Sequence, residues 1–105
     1  MSNSKIKMLS FNIQGKYSNV ESHLNGKKTT IQITKIHRLI TYMKEHKFDI
    51  ACIQETKAKQ GWLTTEIMGK ESEASVVECG NIQNPNKGGV AIFSINPDIK
   101  IVKNY

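Results

Sequence analysis

Long hydrophobic runs are missing from this chain. None of its apolar stretches approaches the roughly 20 residues that a bilayer-crossing helix needs, which excludes such a helix within the 105 residues and predicts no membrane partner. Met1-Ser2-Asn3-Ser4-Lys5 lacks the basic-then-apolar pattern of a secretory signal, so a soluble, intracellular protein is expected. Cysteine is scarce. The two present, Cys52 and Cys79, have neither Cys-x-x-Cys nor Cys/His ligand spacing, which argues against zinc and for two free thiols buried in apolar surroundings. Apolar residues make up 38% of the chain, so the core is expected to be thin. There is no internal repeat, no low-complexity tract, no Asn-x-Ser/Thr acceptor and no compositional shift marking a domain boundary.

Acidic residues are also short in number, 9 against 15 basic ones, and the resulting charge of +6 with a pI near 9.4 favours an anionic partner such as nucleic acid. Yet 14 of the 15 are Lys, spread along the chain, which serves solubility as well as binding.

The centre of the chain is Phe48-Asp49-Ile50-Ala51-Cys52-Ile53-Gln54-Glu55-Thr56-Lys57, an apolar run of strand length that ends abruptly in polar residues. A hydrophobic strand thereby delivers the Glu55 carboxylate to its own C-terminal end, where open α/β sheets place their chemistry. Residues 6–12 form an earlier apolar run ending in Asn12, the first expected strand. Residues 14–28 are rich in Gln, Gly, Lys, Ser and Asn without a period and predict a loop. Within it, Gly26-Lys27-Lys28-Thr29 lacks the first glycine and the leading strand of a phosphate loop.

Thr29-Thr30-Ile31-Gln32 has the form of a capping box and predicts a helix start. Ile33, Ile36, Leu39, Ile40 and Met43 then follow at helical spacing, and Lys44, His46 and Lys47 suit a last turn near residue 47. His37 borders the apolar stripe as a half-buried packing residue. Strand, helix and strand make a βαβ unit with parallel strands, which brings Asn12 and Glu55 to one edge of a sheet. Further on, residues 60–70 predict either a short helix or an ordered loop, with Trp62 as a packing anchor. Residues 75–79 and 88–95 predict an antiparallel pair of strands, and residues 99–102 the start of a fifth.

An amide oxygen from Asn12 and a carboxylate from Glu55 are hard donors, suited to Mg²⁺ or Mn²⁺ that keep most of their water. Three segments in order carry a resemblance: Lys5-Ile6-Lys7-Met8-Leu9-Ser10-Phe11-Asn12-Ile13-Gln14-Gly15, residues 49–57, and residues 88–94. Together they resemble the endonuclease/exonuclease/phosphatase superfamily, most closely its apurinic-endonuclease-like branch, which includes the endonuclease domains of LINE-type retroelements. Ile53-Gln54-Glu55-Thr56-Lys57 and Gly89-Val90-Ala91-Ile92 are particularly like that branch.

The resemblance implies that Asn12 belongs to a metal- and phosphate-binding cluster and that Glu55 is the principal Mg²⁺ ligand, both counted with the catalytic residues. It also implies the N-terminal half of a four-layer, DNase I-like α/β sandwich, with residues 1–105 forming a partial domain truncated at its C-terminus. DNA is the implied substrate and the rest of the domain an implied partner. The nucleus is the implied location for a retroelement or repair type. The family's His with its acidic partner, and its later Asp-x-Asn motif, have no counterpart here, so the chain alone is expected to be inactive. An uncovered sheet would then favour self-association. Two alternatives stay open: a non-catalytic basic nucleic-acid-binding remnant, and a fragment of a phosphatase acting on a lipid or nucleotide phosphoester.

Overall fold

A computed structural model describes residues 5–102. Six strands and two helices follow one another as β1 (Met8–Asn12), β2 (Tyr17–Leu24), β3 (Lys27–Thr34), α1 (Lys35–Glu45), β4 (Ile50–Gln54), α2 (Trp62–Lys70), β5 (Ser75–Cys79) and β6 (Val90–Ser94). A mixed four-stranded sheet runs β1-β4-β6-β5, and β2 with β3 forms a separate two-stranded ribbon. β1 and β4 are parallel, as the crossover through α1 requires, whereas β6 is antiparallel to both β4 and β5.

The pleat sorts the sheet into two faces. Ala51, Ile53, Ala91 and Phe93 point to one side and are buried against Ile36, Leu39, Ile40 and Met43 of α1 and Leu63 and Ile67 of α2. Each fully buried aliphatic or aromatic side chain contributes about 1.5–3 kcal/mol, so this one layer of contacts holds the domain together. The opposite face carries Met8, Cys52, Val77, Cys79, Val90 and Ile92, and its strands β1 and β5 leave Met8 and Cys79 exposed. The α/β class is therefore present as a sheet covered by helices on one side.

Several details depart from the sequence-based expectations. The loop expected at residues 14–28 and the helix start expected at Thr29 are instead the β2–β3 hairpin. Asn25 and Gly26 both adopt positive φ, 52° and 75°, as a tight hairpin turn of matching twist requires. The β-branched run Thr29-Thr30-Ile31 then pairs across it with Ser22, Glu21 and Val20, and this pairing prevails over the capping-box pattern.

α1 starts at Lys35, after an N-cap Thr34 that makes no side-chain bond, and ends at Glu45 rather than residue 47. Ile33 accordingly belongs to β3 and not to the helical stripe. Residues 60–70 resolve in favour of a helix. Its first turn is held by Glu78 of β5, whose carboxylate accepts bonds from the Thr64 amide at 2.9 Å and hydroxyl at 2.6 Å.

The thiols are not both buried: Cys52 is half-buried and Cys79 exposed, because Cys79 ends an edge strand on the uncovered face. No fifth strand forms over residues 99–102. Ile101 is tied instead to Ser75, its amide donating to the Ser75 hydroxyl at 2.8 Å. The continuation of that strand to Tyr105 lies outside the described residues. No described helix is long and apolar enough to cross a membrane.

Candidate functional site

Asn12 ends β1 and Gln54 ends β4, and the parallel register sets these two residues side by side. Glu55 follows immediately, so both sequence-selected residues arrive at the C-terminal edge of the same strand pair. Ser10 and Gln54 share a face, joined by a 3.3 Å bond from Gln54 Nε2 to the Ser10 hydroxyl, and Asn12 stands on that face too. A continued pleat would turn Glu55 to the opposite face. It does not continue: Glu55 has φ 53°, which ends the alternation at that residue.

Glu55 sits at the middle of a backbone clamp. On one side the Ile13 amide donates to the Gln54 carbonyl at 3.0 Å and the Gly15 amide to the Glu55 carbonyl at 2.9 Å. On the other, the Thr56 amide donates to the Gly89 carbonyl at 3.2 Å and the Lys57 amide to the Gly88 carbonyl at 2.8 Å. The loop after β1 is braced in turn by Lys35, whose ammonium donates to the Ile13 and Gln14 carbonyls at 2.9 and 2.8 Å. Thus the first turn of α1, the end of β1 and the start of β6 all fix the segment that carries the carboxylate.

Backbone strain concentrates here. Of the five non-glycine residues described with positive φ, three (Gln14, Glu55 and Lys57) lie in this clamp. Each such conformation costs on the order of 1–3 kcal/mol, and such residues cluster where a side chain must be aimed. Within the clamp, Gly15, Gly88 and Gly89 also have positive φ, 100°, 64° and 90°.

The donor set is small. Asn12 is exposed, and its side-chain oxygen accepts the Gln14 amide at 3.2 Å, which leaves one lone pair. Glu55 is half-buried, and among the described residues its carboxylate makes neither a side-chain hydrogen bond nor an ion pair. One carboxylate and one amide oxygen fit a hard divalent cation that keeps most of its water, and do not fit a cation that needs a full protein cage. No group of three or more His, Cys, Asp or Glu side chains converges among the described residues. A cleft of about 700 Å³ opens beside the edge, between β1 and α1, and takes in Asn12 but not Glu55.

The aromatic neighbours behave as anchors. Trp62 is half-buried and meets Tyr17 edge-on at 5.9 Å, with the Lys16 ammonium 5.7 Å from each ring. His37 is half-buried on α1 and lies 3.9 Å from Glu66 of α2. It lines a shallow groove with Arg38, Thr41, Tyr42, Glu45 and Lys70 rather than the cleft that takes in Asn12.

The clamp around Glu55 was not anticipated from sequence, although its glycines at 15, 88 and 89 were visible there. Comparison with protein-family models, with curated proteins and with solved structures finds no match to this chain.

Proposed function

We propose that this chain carries the metal-binding edge of a Mg²⁺-dependent phosphodiesterase acting on DNA, of the apurinic or retroelement endonuclease type. The observation that carries the proposal is Glu55 itself: a carboxylate free of side-chain partners among the described residues, beside Asn12 at the C-terminal edge of two parallel strands, on a strained and clamped backbone. Its support from the sequence is the resemblance of the segments around Asn12, Glu55 and Gly89 to the endonuclease/exonuclease/phosphatase superfamily. On this reading the four-stranded sheet and its two helices are the first part of a DNase I-like sandwich.

Glu55 and Asn12 would hold Mg²⁺ or Mn²⁺, which supplies a charge to clamp a phosphate oxygen and an acidified water. Glu55 contributes the anionic ligand and Asn12 the neutral one. The Lys35 brace on the Ile13 and Gln14 carbonyls keeps the loop after Asn12 in place. In-line attack also needs a base and groups that orient the phosphate, worth about 10²–10⁴ in rate for the base alone. The sequence offers no counterpart of the family's motifs for those roles.

The test has two readouts on the purified chain. Mg²⁺ titration should show weak binding that Glu55→Ala abolishes, and plasmid nicking with Mg²⁺ should be absent from both proteins. Equal metal affinity in the two would place any metal elsewhere and overturn the site. Nicking that disappears in Glu55→Ala would show that the chain contains its own base.

A further inference from the structure

The β2–β3 hairpin is the least packed element of the molecule. It meets the body through α1, which follows it directly, and through Tyr17 against Trp62. The radius of gyration, 15.5 Å, exceeds the roughly 13 Å of a compact chain this long, as a projecting arm would cause. Eight-residue strands give the arm a length of about 26 Å at 3.3 Å per residue.

The cross-strand register separates its two faces. Val20, Leu24, Ile31 and Ile33 share one of them. The other presents Asn19, Glu21, His23, Lys28, Thr30 and Gln32, every one exposed. At the root of that face Tyr17 packs on Trp62 and Thr34 is half-buried, but from Asn19 outward its exposed hydrogen-bonding side chains have no core to cover. Within the hairpin itself, residues 17–34, the charged side chains are Lys27, Lys28 and Glu21, so the arm carries a small net positive charge with both lysines at its tip. Glu21 pairs with Lys28 at 3.0 Å, but both side chains are more than half exposed, and a pair in that setting is readily exchanged for another anion.

We infer that this hairpin is a DNA-binding arm, which lays its Asn19/Gln32 face into the major groove of a duplex and sets the lysines of its tip, Lys28 on that face and Lys27 on the other, against phosphates on either side. A two-stranded ribbon fits the major groove of B-DNA, about 12 Å wide, and Asn and Gln are the side chains that pair bidentately with adenine there. The deep, narrow major groove of A-form RNA excludes a ribbon. The arm is rooted at the candidate site: the Lys35 amide donates to the Lys16 carbonyl at 2.9 Å, and Gly15, next to Lys16, donates to Glu55. The root of the arm is thereby hydrogen-bonded into the segment that carries Glu55. The inference deepens the DNA phosphodiesterase proposal and rests on it for the choice of polymer.

The experiment is fluorescence anisotropy of the full chain with a 20-bp mixed-sequence DNA duplex in EDTA, so that binding is read without metal. The double variant Lys27→Ala/Lys28→Ala should bind several-fold more weakly and show a salt slope shallower by about 1–2. Asn19→Ala/Gln32→Ala should lose about 10-fold with the slope unchanged. Lys70→Ala, on α2 away from the arm, should stay within about twofold of wild type. All four substituted arm side chains are exposed, and circular dichroism checks that each variant is folded.

Wild-type affinity in both arm variants would overturn the inference. So would an equal loss in Lys70→Ala, which would mean diffuse charge attraction, or A-form RNA bound as tightly as DNA. Because EDTA removes any dependence on Glu55, failure of the metal site leaves this result standing, and failure of the arm leaves the Mg²⁺ titration standing.

Discussion

Thr56 and Lys57 are held by backbone bonds to Gly88 and Gly89, and an unbranched position 89 is what lets the two loops approach. A Cβ on Gly89 would collide with the Thr56 hydroxyl oxygen, and its φ of 90° is hostile to any L side chain. Gly61 has a similar φ of 94° with open space around it, so it isolates the conformational cost. Gly61→Ala should lose about 1–2 kcal/mol from strain alone. Gly89→Ala should lose about 1–2 kcal/mol more, because overpacking adds to strain. Urea unfolding of the two variants checks this, and equal losses would show that Thr56 gives way freely. The position that resembles a family motif, Gly-Gly-Val-Ala, thus has a physical reason of its own in the support of Glu55.

At the level of elements, the β2–β3 turn rests on Gly26, with φ 75° and no atom within 4 Å of where a Cβ would stand, and on Asn25 with φ 52°. Gly26→Ala should therefore cost about 1–2 kcal/mol through backbone conformation only. Since the hairpin packs mainly on itself, that cost should appear as local opening. Amide exchange should accelerate across β2 and β3, while α1 and β4 keep wild-type protection. Acceleration throughout the core would mean that the hairpin is part of the global folding unit.

The same self-containment explains what could be read in advance. β4 and β6 were legible because burial imposes an apolar run on each, and the parallel pairing of β1 with β4, which sets Asn12 beside Gln54, followed from the crossover through α1. The hairpin buries neither face fully, so it left no clean alternation. Its Asn25-Gly26 turn was present in the sequence, yet Thr29-Thr30-Ile31-Gln32 gave a competing helix-start pattern. The positive φ of Glu55 and Lys57 had no local signal, because it is imposed by loops distant in sequence.

For the molecule as a whole, the decisive feature is a sheet with helices on one side only. Met8 and Val90 are 56% and 52% exposed on the open face, with Cys52, Val77 and Ile92 half-buried between them. These apolar side chains are interspersed with Ser10, Gln54 and Ser75 on the same face, their exposed members favour association, and β1 and β5 are the edge strands of the sheet among the described residues. The chain should therefore associate with rising concentration and melt broadly. Sedimentation velocity must be run with reductant, because the exposed Cys79 lies on the same face and a disulfide dimer would imitate the effect. Met8→Lys/Val90→Lys places charges on that face at two exposed positions and should shift the population to monomer without loss of secondary structure. If the wild-type chain is a sharply melting monomer under reducing conditions, the single covered face is sufficient for a stable fold, and the open face needs no partner to explain it.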